Sequence, residues 1–168
     1  MIRIKQCSLA DLDALMNLQK RCFAALKNKD WLRNNSEENF RVCLQTPNFA
    51  LGLFSKEQLI AVAILQICGL DSENLGYQLR LSEKQLEKTG NMKLVLIDPA
   101  YRKRGWQYRM MQACEEYAKE YGLTRLATTV HPDNSVSVHN IEKSGYIYHS
   151  QQIKYGGLNR SLYYKKLK

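Results

Sequence analysis

The chain has no apolar run long enough to cross a bilayer, and Met1 is followed by the alternating Ile2-Arg3-Ile4-Lys5 rather than by a basic stretch and an apolar segment. A spanning helix and a secretory leader are therefore not expected, and the expected location is cytoplasmic. Low-complexity tracts, internal repeats and Pro/Gly/Ser linkers are also missing, so the 168 residues are expected to form a single domain, 1–168, around one core. Five cysteines (Cys7, Cys22, Cys43, Cys68, Cys114) form an odd set with no C-x-x-C pair. Three of them fall at apolar-periodic positions, which points to buried, reduced thiols rather than disulfides or zinc ligands. His139 and His149 have no metal-ligand spacing and belong to no nucleophile triad, so no metal is expected. Neither G-x-x-x-x-G-K-[ST] nor G-x-G-x-x-G occurs, which excludes a P-loop and a dinucleotide fingerprint.

Acidic residues are in short supply, 16 against 25 Lys and Arg, for a formal charge of +9. Such a chain attracts polyanions: a phosphorylated cofactor, nucleic acid or an acidic substrate. The basic residues are scattered, with local density only at Arg102-Lys103-Arg104 and Lys165-Lys166-Lys168. No stripe for a duplex and no base-reading motif accompanies them, so nucleic acid ranks last among the partners.

The stretch from Met92 to Gly122 organises what is present. Leu94-Val95-Leu96-Ile97 is an unbroken apolar run, expected as an inner strand covered on both faces and stopped by Pro99. Met110, Cys114, Tyr117, Ala118 and Tyr121 recur at helical spacing, with Glu115 and Lys119 placed to pair on the solvent side and Gly122 as a left-handed cap. Between strand and helix lies Arg102-Lys103-Arg104-Gly105-Trp106-Gln107. Glycine lets backbone approach an anion, and the free amides and dipole of a helix N-terminus favour a pyrophosphate. By itself this short pattern fits a solvated basic loop equally well.

Around it the chain alternates structure types. A strand at Ile2 to Gln6 leads through an S-x-x-D capping box at Ser8 into a helix bearing Leu12, Leu15, Met16, Cys22, Phe23 and Leu26. A polar break around Asn28 to Asn35 precedes a short helix capped by Ser36. A hairpin follows, Phe49 to Phe54 and Leu59 to Ile67, its second strand next to the one at Leu94. Asp71 to Gly90 is a polar excursion with a brief Ser82-capped helix, either a substrate-side flap or a surface loop. Leu123 to Val130 closes a β-α-β crossover and hence a parallel pair; a helix over Ser135 to Ser144 and a final hairpin complete the chain.

Strand, proline, R-x-x-G loop, helix, strand and then H-P-D-N-S-V-S-V-H-N-I-E-K-S-G-Y appear in an order that resembles the GNAT N-acetyltransferase superfamily. In that family a V/I-x-P-x-Y-R-x-x-G-x-G/A segment cradles acyl-CoA pyrophosphate, and a later N-x-x-S/A…K-x-G-F segment matches Asn134, Ser137, Lys143, Gly145 and Tyr146. The two motifs span Leu94 to Tyr146. The resemblance implies an α/β (α+β) fold: a mixed, mostly antiparallel sheet with a central parallel strand pair splayed at the CoA site and helices on both faces. It implies acetyl-CoA as cosubstrate, with pyrophosphate on the amides of Lys103, Arg104, Gly105, Trp106, Gln107 and Tyr108 and with Arg102 among the cofactor-binding residues. Leu96 and Ile97 would pair with pantetheine, and Asn134 and Ser137 would line the CoA arm.

The implied chemistry is transfer of an acetyl group to the primary amine of a small molecule or peptide, by direct attack in a ternary complex, with a strand amide near Leu96 stabilising the oxyanion. A base near the carboxyl ends of the central strands takes the amine proton, and the candidates are His131 and Asp98. Two departures stand out: Gln107 replaces the usual Gly or Ala, and Ile141 stands where many members carry a tyrosine that protonates the leaving thiolate. A catalytically silent CoA-binding module is the alternative. The sequence leaves open whether the protein is a monomer or a homodimer.

Overall fold

A computed structural model describes residues 1–168, in which seven strands form one sheet in the order β1-β2-β3-β4-β5-β7-β6. The strands are β1 (Ile2–Gln6), β2 (Phe49–Ser55), β3 (Gln58–Gln66), β4 (Thr89–Ile97), β5 (Arg125–Val130), β6 (Ile147–Lys154) and β7 (Leu158–Lys166). Every neighbouring pair is antiparallel except β4 and β5, which run parallel. The helices are α1 (Leu12–Ala24), α2 (Glu37–Cys43), α3 (Glu83–Leu86), α4 (Trp106–Tyr121) and α5 (Ser135–Lys143). The expected mixed sheet with one parallel pair is therefore present. No helix is long and apolar enough to cross a membrane.

Period-two alternation along the inner strands sends side chains to two cores. Leu51, Leu53, Ala61, Ala63 and Met92 pack with Met110, Met111, Cys114 and Ala118 of α4 and Ile141 of α5. Ala50, Val62, Ile64 and Leu96 pack on the other face with Leu15, Leu18 and Cys22 of α1 and Phe40 and Cys43 of α2. Helices thus cover both faces. Ser8 and Asp11 form the expected capping box, on a single 3-10 turn that runs into α1. Helix α1 stops at Ala24, so Leu26 lies beyond it rather than on its apolar face.

Three expectations are corrected. Strand β4 begins at Thr89 rather than Met92, because Thr89, Gly90 and Asn91, assigned to the polar excursion, make the parallel pairing with β5. Gly90 permits this close approach: a Cβ there would lie 2.7 Å from Leu123 Cδ1. The Leu94–Val95 run is not covered on both faces, since both residues are half-buried and open onto a cleft. Glu115 is buried, not on the solvent side; its carboxylate accepts from Lys165 Nζ at 2.7 Å and pairs with Lys119 Nζ at 3.3 Å. A buried carboxylate needs such partners, and one of them, Lys165, comes from β7, far along the chain.

Candidate active site

Strands β4 and β5 pair over only three positions, Thr89 with Arg125, Gly90 with Leu126 and Asn91 with Ala127. Thr128 Oγ1 donates to Met92 O at 2.8 Å as the last link. Beyond it β4 stays with β3 as far as Ile97 while β5 stays with β7 as far as Val130, so the two strands diverge. The β3–β4 register shifts between Leu65–Met92 and Ile64–Leu94, leaving Lys93 as the extra residue of a β-bulge at the start of the gap. A cleft of about 570 Å³ occupies the gap and reaches both flanks of the sheet.

One flank is the N-terminus of α4. Lys103 and Gly105 adopt positive φ, 62° and 76°, which turns the chain out of a Pro99–Tyr101 single turn and into the helix. No side chain caps α4, so the amides of its first turn stay free, and a Cβ on Gly105 would meet nothing within 4 Å. Arg102 Nε donates to Ile97 O at 3.3 Å and fixes the loop against the end of β4. Asn134 caps α5, its Oδ1 accepting from Ser137 N at 3.4 Å, and both residues line the cleft. Gln107 ties the two helices together, since its Oε1 accepts from Asn140 Nδ2 at 3.0 Å. The Trp106 indole N–H is buried beside these groups without an acceptor. Free helix amides, an open glycine, an unpaired strand edge and an unsatisfied N–H fit a long, polyanionic and amide-bearing ligand such as CoA.

Of the residues singled out from sequence, Leu96, Ile97, Arg102, Lys103, Arg104, Gly105, Trp106, Gln107, Asn134 and Ser137 all border this cleft. Tyr108 does not; its ring lies 4.6 Å from Lys143 Nζ of α5, so only its backbone faces the helix terminus. Neither candidate base borders it. Asp98 is buried with both oxygens engaged, Oδ2 accepting from Arg21 Nε at 2.7 Å and Oδ1 from Ala100 N at 2.9 Å. It terminates β4 and anchors α1. His131 is buried at the end of β5, where Nδ1 accepts from Asp133 N at 3.1 Å, and it packs against Trp31 with ring centroids 6.3 Å apart. Both hold the frame of the cleft from outside its walls.

The opposite flank is built from residues that sequence reasoning passed over. Trp31, Arg33 and Asn35 come from the break between α1 and α2. That break is held rigidly: buried Gln19 of α1 accepts from Asn35 N at 3.0 Å and donates to Asn35 O at 2.9 Å. Tyr155 and Arg160 come from the β6–β7 turn and β7, and Lys93 from the bulge. Tyr155 OH bonds Thr129 Oγ1 at 3.1 Å, and Arg33 stacks over its ring at 4.3 Å. Burial pushes the Tyr155 phenol above its ordinary value, so it stays protonated; burial, reinforced by neighbouring Arg33, pushes the Lys93 ammonium below its own, opposed by neighbouring Cys43. A second cavity of about 10 Å³, close to the least a water needs, adjoins this flank and is bordered by Glu73, Lys93, Thr129 and Tyr155. The only sequence signal for this half was the length of the 71–90 excursion, which brings Glu73 here.

A family model described as the acetyltransferase (GNAT) family matches residues 12–146. No curated protein sequence matches the chain. Among solved structures, the GNAT-family acetyltransferase of Streptococcus pneumoniae superposes with a TM-score of 0.76 at 18% identity, covering 100% of both chains. The ribosomal-protein-S18-alanine N-acetyltransferase of Escherichia coli gives 0.73 at 16% identity over 99% of this chain and 94% of that one. The PaiA N-acetyltransferase of Thermoplasma acidophilum in complex with coenzyme A gives 0.70 at 18% identity, with 99% of each chain covered.

Proposed function

The chain belongs to the GNAT acetyltransferase family, and from that premise we propose that it transfers an acetyl group from acetyl-CoA to a primary amine of a small molecule or peptide within a ternary complex. The observation that carries the reading is the gap between β4 and β5, which opens at Met92 beside the uncapped N-terminus of α4. Bound acetyl-CoA supplies the acyl donor, a thioester open to attack by a neutral amine. The first-turn amides of α4, with Arg102, Lys103 and Arg104, hold its pyrophosphate, and the β4 edge at Leu96 and Ile97 orients its amide-bearing arm. A β4 amide near Leu96 faces the charge that develops on the carbonyl oxygen.

The acceptor flank prepares the amine. An environment that lowers the Lys93 ammonium through burial and a neighbouring cation acts in the same direction on a substrate amine, favouring the neutral, attacking form. Its proton leaves through the water-sized cavity to Glu73, the one carboxylate bordering that cavity and half-exposed to solvent, 3.7 Å from Arg33. The protonated Tyr155 hydroxyl replaces the absent tyrosine at Ile141 as proton donor to the leaving thiolate.

The second reading, a silent CoA-binding module, draws support from Ile141, which is buried against the core, and from the lack of any carboxylate on the main cleft. Calorimetric titration with acetyl-CoA followed by a free-thiol release screen over a panel of amines separates them. Binding with turnover supports the enzyme; binding without turnover of any amine favours the silent module; no binding at millimolar acetyl-CoA sinks both.

A further inference from the structure

Every charged side chain bordering the main cleft is basic: Arg33, Lys93, Arg102, Lys103, Arg104 and Arg160. The three at the α4 N-terminus have a counterpart in a pyrophosphate. The other three stand on the acceptor flank, and the function proposed above gives them none. Arg160 is the sharpest case. It is 3% exposed, and no carboxylate lies within ion-pair reach. Its Nη1 donates to Asp30 O at 2.9 Å and Asn159 O at 2.8 Å, so two of the five guanidinium N–H groups have protein acceptors and Nε and Nη2 have none. A charge so deeply buried without a counter-ion is costly, and an oxyanion brought by a ligand is the group that offsets it.

The surroundings agree. Arg33 has only a long contact with half-exposed Glu73 and lays its face on Tyr155. On the same loop the Trp31 indole N–H and Asn35 Oδ1 are buried without partners, one donor and one acceptor on residues that border the cleft. Burial lowers Arg160 and Lys93 alike from their ordinary values, and the acidic groups nearby, Tyr155 and Asp30 at Arg160 and Cys43 and Glu73 at Lys93, do not offset it. A polycationic amine would meet repulsion from three sides, with Glu73, outside the main cleft and already beside Arg33, as the one carboxylate on this flank.

Resting on the acetyltransferase reading, we propose that the acceptor is an anionic amine, whose carboxylate or phosphate docks on Arg160 and Arg33 while its amino group points toward the gap between β4 and β5. Trp31 Nε1 donates to the same oxyanion, and Asn35 Oδ1 receives an N–H of the amine. The fork of Arg160, fixed by Asp30 O, sets the distance between anion and amine and so selects acceptors by the spacing of the two groups.

The test uses probe pairs that differ only in the anion, titrated by calorimetry into wild-type protein saturated with CoA so that the α4 site is filled. Phenylalanine against phenethylamine examines a carboxylate, O-phosphoethanolamine against ethanolamine a phosphate, and spermidine serves as the polycation. The anionic member of at least one pair is expected to bind about tenfold or more tighter than its partner, and the pair that discriminates identifies the oxyanion. Arg160→Gln and the loop variant Arg33→Gln, the latter safe for folding because Arg33 is half-buried and outside every helix and strand, should each reduce that preference to about twofold or less. Equal affinities, tighter spermidine binding, no binding of either anionic probe, or a preference that survives both substitutions overturns the proposal. Failure of CoA itself to bind, read in the same instrument before the probes are added, sinks the acetyltransferase reading instead.

Discussion

The two flanks of the cleft carry the same sign of charge in opposite ways. Arg102, Lys103 and Arg104 are exposed on a loop, whereas Arg33 and Lys93 are half-buried and Arg160 is buried. Exposed cations are solvated and screened, so they attract a polyanion from a distance and leave its recognition to backbone amides. Buried cations are desolvated before the ligand arrives, and they discriminate because a wrong ligand leaves them unpaired. One flank is thus suited to a common carrier and the other to a particular acceptor. Substitutions on the two flanks should therefore separate binding of the carrier from turnover.

The largest expected effect lies on the acceptor flank. Tyr155→Phe and Glu73→Gln each remove one proposed proton-transfer group and should lower kcat by about 10²-fold or more, within the range general acid–base groups supply. Acetyl-CoA affinity measured by calorimetry should stay within about twofold, because neither residue borders the α4 terminus. A fall in affinity that matches the fall in kcat would erase the division between flanks. Next comes Gly105→Val on the donor flank. Its φ of 76° is strained for a branched side chain by about 1–3 kcal/mol. Relaxation of the loop would withdraw the amides and weaken acetyl-CoA by about 5- to 150-fold, with kcat at saturation nearly unchanged.

The two flanks also differ in how far they could be read from sequence. The donor flank is local: a strand, a loop and a helix start within Leu94 to Tyr108, and Asn134 and Ser137 within one helical turn of each other. Backbone geometry of that kind is written in contiguous residue types, so Gly105, Pro99 and Asn134 announce it. The acceptor flank joins Trp31, Glu73, Lys93, Tyr155 and Arg160, brought together by sheet order and by loops fixed through distant contacts. Nothing in the neighbours of Arg160 marks it as different from other basic residues of an amphipathic hairpin. Asp98 and His131 attracted attention because they sit at strand ends, yet strand ends also need caps and anchors, and the bond of Asp98 to Arg21 comes from α1. Strand limits failed for a related reason: Thr89, Gly90 and Asn91 look polar and turn-like, and only pairing with β5 makes them strand.

A smaller effect tests the departure at Gln107. Gln107→Ala removes the 3.0 Å bond to Asn140 and should cost about 0.5–1.5 kcal/mol of stability, seen as a lower denaturant midpoint. Since amides rather than this side chain face the anion, acetyl-CoA affinity should change by less than about threefold, about 0.6 kcal/mol. A larger loss would make the α4–α5 tie, and not the helix terminus alone, the determinant of the donor flank.

The smallest expected effect asks whether the acceptor flank costs stability as a flank of buried cations should. Lys93 has a folded-state pKa below its ordinary 10.5, chiefly through burial. Between that lowered value and 10.5 the unfolded chain binds the proton more fully than the folded one, so stability rises with pH across this window. Below the window both states are protonated and the penalty is present in full. Cys7, Cys68 and Cys114, pushed up to about 12 by burial from an ordinary 9.0, act in the opposite sense, lowering stability as pH rises above 9.0. Wild type alone would mix the two trends. The difference between wild type and Lys93→Met cancels Cys7 and Cys114 and reads the lysine together with its coupling to Cys43 and Cys68, which acts in the same direction: the variant should be more stable below the window, and the advantage should shrink as pH approaches 10.5. Urea midpoints for both proteins across this range measure it. A constant difference would mean that Lys93 keeps its ordinary pKa and is accommodated without strain, which would leave Arg160 and Arg33 alone as the physical reason for expecting an anionic acceptor there.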